Sequence, residues 1–182
     1  MLHLPAQAYF DGKEFDPPFG YEALSPRDRK IGHIQLHVAK AAMKLVNANP
    51  EIIISEVIPD TAIYRSQIIN LLIAPVKKIV VHELEQDYPI TLPSSEGWEV
   101  DATAAHHRFQ EEIVLASGNL ATYLERLEHG KPGDEDRLRL AVSALDYGSR
   151  GLAELYGVDS AQAHLRRLEH NMGRPLPANL VS

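Results

Sequence analysis

Asp101-Ala-Thr-Ala-Ala-His-His-Arg-Phe-Gln-Glu-Glu-Ile-Val-Leu-Ala-Ser-Gly-Asn-Leu-Ala-Thr-Tyr-Leu-Glu-Arg-Leu-Glu-His129 decides the fold class. Phe109, Ile113, Ala116, Leu120, Leu124 and Leu127 recur every three or four residues, which draws one apolar stripe down a helix. Asp101 stands at the capping position, and Gly130 followed by Pro132 ends the segment. A strand would bury alternate residues and would split this stripe between two faces. The paired acid Glu111-Glu112 lies where the stripe is fully established, so the strongest helix signal and the leading candidate chemistry share one segment.

Similar stripes flank it. Ser25-Pro26-Arg27-Asp28 has a cap, a proline in the first turn and an acid behind it. The helix it opens runs to about Asn47 with Ile31, Ile34, Val38, Ala41 and Leu45 inward. Downstream, Leu138, Ala141, Leu145, Gly148, Leu152 and Leu155 form another stripe, in which Gly148 and Gly151 permit close helix approach. Asp159-Ser-Ala-Gln162 caps a last short helix carrying Ala163, Leu165 and Leu168, closed by Gly173 and Pro175. The segment from Ile52 to about Glu85 contains β-branched runs, Ile52-Ile53-Ile54 and Ile79-Val80-Val81. Val57, Tyr64, Ile68, Leu71 and Leu72 nevertheless keep a helical step, so helix is expected, broken or kinked at Pro59 and Pro75. Residues 87–100 read as a loop with Trp98 as its anchor.

The expected architecture is therefore all-α: a four- to five-helix bundle spanning residues 25–176, preceded by an extended arm at residues 1–24. Pro5, Gly12, Pro17, Pro18 and Gly20 in that arm alternate with Tyr9, Phe10, Phe15, Phe19 and Tyr21, so it should pack on its own domain or on a neighbour. The chain has 182 residues, enough for one substantial core, with no cysteine and therefore no disulfide or thiolate metal site. A net charge of −7 argues against broad contact with a nucleic-acid backbone. No apolar run is long enough to span a bilayer and no basic-then-apolar leader is present, so a cytoplasmic protein without membrane contact is expected.

The second half resembles the MazG-like all-α nucleoside triphosphate pyrophosphohydrolases over roughly residues 105–176. The residues that carry the likeness are Phe109-Gln-Glu111-Glu112, Ala144-Leu-Asp146-Tyr147, and the tail from Tyr156-Gly-Val-Asp159 through Ala163, Arg167-Leu168, Asn171 and Arg174-Pro175. The resemblance implies Mg²⁺ (or Mn²⁺) held by Glu111, Glu112 and Asp146, with Glu112 and Asp146 catalytic. The substrate would be a nucleotide, cleaved to monophosphate and pyrophosphate, and the protein a homodimer. Hard Mg²⁺ suits such a carboxylate and phosphate environment. Two departures stand out: Leu115 replaces the third acid of the first motif, and Ser143 replaces the first acid of the second.

The first half can be laid over the second as a diverged repeat, residues 25–86 on residues 101–172. His33 to Leu45 then overlies Arg108 to Leu120, with His37 opposite Glu112 and Asp60 opposite Asp146. His33, His37, Lys40 and Lys44 share one helix face, and His37, Lys40 and Lys44 are the candidate substrate contacts. Blander readings compete at each position. Glu111-Glu112 would suit a solvated face, and Asp146 with Arg150 a surface pair worth ~0.3–0.5 kcal/mol. His33 and His37 have the spacing of a metal pair, in which imidazole favours Zn, Ni or Fe over Mg, or of ordinary packed histidines. A non-catalytic nucleotide-binding or interaction module is the alternative function, favoured by the missing acids, and a bundle holding a transition metal through His33, His37 and one of the glutamates is a further one. Small residues on helix faces and an aromatic arm leave apolar surface to cover, consistent with a dimer.

Overall fold

Helix caps written in the sequence place the elements. The computed structural model describes residues 4–14, 24–46, 49–73 and 101–180, and every regular element among them is helical. Helix α1 is Leu4–Glu14 and α2 is Pro26–Val46. Helix α3, residues 50–73, comprises Pro50–Ile52, a π-turn at Ile53–Val57, and Ile58–Ile73. Helices α4 (Ala102–Glu128), α5 (Glu135–Leu155) and α6 (Ser160–Met172) follow, with a 3₁₀ turn at Ala178–Leu180.

The expected caps form. The Ser25 hydroxyl accepts from the Asp28 amide and Asp101 from Ala104, while Asp159 accepts from Ala161 and Gln162. Gly130, Gly157 and Gly173 end α4, α5 and α6 with φ of 65°, 65° and 63°, left-handed values that glycine adopts without a Cβ penalty. Pro59 does not end its helix. The Ile58 amide bonds back to the Ile53 carbonyl, one residue further than in an α-helix. This wider turn lies immediately before a proline whose ring would crowd the preceding carbonyls of a regular α-helix. Expectations for Pro75, Ile79-Val80-Val81, the 87–100 loop and Trp98 lie outside the described residues.

Residues 4–14 are not extended but form a three-turn helix, because Pro5 falls in the first turn, where its missing N–H costs no intrahelical bond, and Gly12 lies near the end. The helix packs on its own chain: Ala6 and Phe10 join Ile63, Leu165, Leu168 and Leu176 in a small core between α1, α3 and α6. Its polar side is also buried. Gln7 Oε1 lies 2.8 Å from His164 Nε2. The Asp11 carboxylate accepts from Gln7, Gln67 and Asn70. Burial pushes the Asp11 carboxyl up, and those amide donors oppose the shift.

The main core lies inside a ring of four helices, in which α2 neighbours α4, α4 neighbours α5, α5 neighbours α3, and α3 neighbours α2. Every predicted inward position of α2 is buried, as are Phe109, Ile113, Ala116, Leu120 and Leu124 of α4, while Leu127 is partly covered. When the two halves are overlaid, Ile34 and Phe109, Val38 and Ile113, Ala41 and Ala116, and Leu45 and Leu120 are all buried pairs. Arg27 stitches the ring by clasping Glu135 at 2.7 and 2.8 Å while donating to the Leu71 carbonyl. Leu36, Met43 and Val46 on α2, and Val114 and Leu115 on α4, remain exposed.

Helices α4 and α5 approach closely, and glycine permits it. A Cβ added at Gly148 would lie 2.9 Å from the Phe109 carbonyl oxygen and 2.9 Å from Ile113 Cγ1, and one at Gly151 would enter the Phe109 ring. Around Gly118 of α4, by contrast, a Cβ meets nothing within 4 Å. Gly148→Ala should therefore destabilise the fold by about 1–3 kcal/mol through overpacking against backbone. Gly118→Ala should stabilise it by up to about 1 kcal/mol through helix propensity. Urea unfolding of the two variants checks both signs.

Candidate functional site

Helix α3 places two charged residues, Asp60 and Arg65, in an otherwise uncharged run from Ile58 to Ile73. Each meets an opposite charge on a neighbouring helix, and together they define the polar interior.

Asp146 of α5 is 1% exposed. Its Oδ1 lies 2.7 Å from Arg65 Nη1, and its Oδ2 lies 3.6 Å from Arg150 Nη1. The surface-pair reading of Asp146 with Arg150 is thus corrected, because the carboxylate is interior and its near partner comes from α3. A buried carboxylate requires such a counter-charge. Gly148 and Gly151, on the turns that follow, draw α5 against α4.

Glu111 is exposed and Glu112 half-buried. Glu112 lies beside Arg108, whose guanidinium sits 5.5 Å from the centre of the Tyr147 ring. Desolvation raises the Glu112 carboxyl above its ordinary value, neighbouring Glu111 raises it further, and Arg108 opposes both. Among the described residues no three His, Asp or Glu side chains converge in a metal-binding group. Glu111, Glu112 and Asp146 are therefore not assembled as a ligand set, nor are His33 and His37 with a third ligand.

The second polar centre lies between α2, α3 and α6. Rings of His33 and His37 stand 4.4 Å apart, and the Tyr64 hydroxyl is 3.3 Å from His37 Nδ1. Asp60 is clasped by Arg167 of α6 at 2.7 and 3.2 Å. Lys44 binds Glu56 on the π-turn, and Lys40 is exposed. Of the three candidate substrate contacts, His37 and Lys44 are therefore engaged within the fold and Lys40 projects to solvent. His106 is structural: its Nε2 lies 3.4 Å from the Leu45 carbonyl and its Nδ1 3.2 Å from the Tyr156 hydroxyl.

Sequence reasoning missed Arg65 and Tyr64. Their signal was present, since a lone arginine in an apolar helix must find a buried counter-charge or reach solvent. Asp60 was placed opposite Asp146, and the two do behave alike in one respect: each carboxylate is held by an arginine from another helix.

No protein-family model, curated protein or solved structure matches this chain. The site therefore stands on its own geometry.

The histidine pair gives a pH test. Desolvation lowers His33 below the usual 6.5, and neighbouring His37 adds to the effect. Desolvation also lowers His37, with Lys40 and Lys44 adding to the effect and Asp60 opposing it. With folded values below the unfolded one, the unfolded chain binds these protons more readily. This contribution to stability is present above pH 6.5 and is lost as pH falls through the folded values. The melting midpoint of the native protein should drop more between about pH 7.5 and about pH 5 than that of a His33→Gln/His37→Gln variant. Parallel curves would contradict this assignment.

Proposed function

We propose that the chain is a non-catalytic helical binding module for a nucleotide, built on a MazG-like helix plan from which the pyrophosphohydrolase centre has been lost. One observation carries this reading: Asp146, which matches the second acid motif, is buried against Arg65 and Arg150. In the resembled enzymes that acid would share in holding Mg²⁺. Here a guanidinium occupies the carboxylate's near side, and a divalent cation would have to displace a buried ion pair to reach it. The replacements at Leu115 and Ser143 act in the same direction, since each removes a hard oxygen ligand. Exposed Glu111 and half-buried Glu112 then read as outer-face acids, the latter beside Arg108.

Nucleotide binding is supported by three cationic side chains that stand near one another on a protein with a net charge of −7. Lys40, Lys44 and Arg167 each act electrostatically on groups of the α2–α3–α6 region. Lys44 and Arg167 are balanced by Glu56 and Asp60, which leaves Lys40 as the uncommitted charge of this group, and phosphate recognition by such charges does not need a metal-activated water.

The test is a pyrophosphate-release assay over canonical and modified nucleoside triphosphates with Mg²⁺ or Mn²⁺. The expected result is release no faster than the uncatalysed background across the panel. Metal-dependent release that disappears in Asp146→Asn would establish the pyrophosphohydrolase instead.

A further inference from the structure

Helix α6 carries Gln162, Arg166 and His170 at successive steps of four residues, a spacing that aligns them along one face. All three line a cleft of about 770 Å³ between α6 and the π-turn of α3. Ile54 and Pro59 line the cleft from the α3 side, and Val158 lines it from the turn before α6. The volume lies within the ~300–1,000 Å³ range of small-molecule sites.

The charges in this cleft are unevenly committed. Arg167 also lines it, but its guanidinium is clasped by Asp60. The Asp159 Oδ1 accepts from the Ala161 and Gln162 amides. The Ser55 hydroxyl donates to the Glu51 carbonyl. Among the described residues, neither Arg166 nor His170 enters an ion pair, and both are exposed to the cleft solvent. An arginine fork, an imidazole and an amide thus stand in a row with hydrogen-bond capacity to spare, beside apolar side chains.

We propose that this α3–α6 cleft is the binding site for a nucleotide, with Arg166 and His170 holding its phosphates and the Ile54–Pro59–Val158 side taking the base. The inference rests on the nucleotide-binding reading above and moves the contact from the lysine face of α2 to α6. A planar guanidinium pairs with two phosphate oxygens at once, whereas exposed Lys40 offers one mobile point charge. A carboxylate ligand would satisfy the arginine but would leave His170 and Gln162, each about one turn away along the helix on either side, without a partner; a polyphosphate spans them.

Isothermal titration of the full chain tests the site, using metal-free ATP and, separately, inorganic phosphate. Both should bind saturably and compete, ATP the more tightly because only it uses the apolar side. Arg166→Glu should weaken ATP at least about tenfold, the loss expected when a charge-assisted bond becomes a repulsion. His170→Gln should weaken it less, and Lys40→Glu should leave it within about twofold. Circular dichroism should show the exposed-site variants folded. Absence of saturable ATP binding, an Arg166→Glu variant that binds like the native protein, or a Lys40→Glu loss equal to that of Arg166→Glu would each overturn the site. Pyrophosphate release would sink the non-catalytic reading and leave the cleft standing, whereas an unaffected Arg166→Glu variant would do the reverse.

Discussion

The ion pair between Arg65 and Asp146 sets the terms for the rest of the structure. It joins α3 to α5 across the interior of a four-helix ring, at 2.7 Å and nearly out of solvent. Two charges removed from water gain little net stability, because desolvation offsets most of their attraction. Breaking the pair is another matter, since the survivor would be left charged in a low-dielectric setting. The pair therefore adds little stability of its own, but any packing of α3 on α5 that separates guanidinium from carboxylate would leave both charges buried and unpaired. That same pairing occupies the Asp146 carboxylate, and the proposed functional reading rests on it.

Around this point the molecule uses ordinary means. Glycines at 148 and 151 bring α5 against Phe109 of α4. Arg27 ties the start of α2 to the start of α5 through Glu135. The π-turn before Pro59 lets α3 continue past a proline and places Ile54 and Ser55 along the α6 cleft. Asp60 then fixes α6 through Arg167, and α1 covers the junction of α3 and α6 with Phe10 and a buried amide network around Asp11. The cleft therefore results from two features of α3: a local widening of the helix and an ion pair one turn later.

The sequence reveals most of the helical plan and little of the polar interior, for a physical reason. Apolar stripes such as Phe109, Ile113, Ala116 and Leu120 are local patterns with the helix period, so each can be recognised without knowledge of its partner. Caps at Ser25, Asp101 and Asp159 are likewise local. The partner of Asp146 is not, because Arg65 lies on another helix 81 positions earlier and no periodicity links the two. Arg150, at helical spacing, was the locally visible candidate, and it proved the more distant of the two arginines. Helix α1 was obscured differently: proline and glycine counts weigh composition, whereas Pro5 is tolerated by position. Arg166 and His170 were not legible as a site, since the opposing wall of their cleft comes from the π-turn.

The account rests on Asp146 being held by arginine and not by metal. A double-mutant cycle on Arg65 and Asp146, read by urea unfolding with and without Mg²⁺, tests that most directly. Arg65→Met and Asp146→Asn should each cost about 3–5 kcal/mol, and the double variant should cost less than their sum by about 1–3 kcal/mol. Mg²⁺ should leave all four proteins unchanged. Additive losses together with a Mg²⁺-dependent gain in the native protein, abolished by Asp146→Asn, would show that the carboxylate serves a metal and would contradict the account.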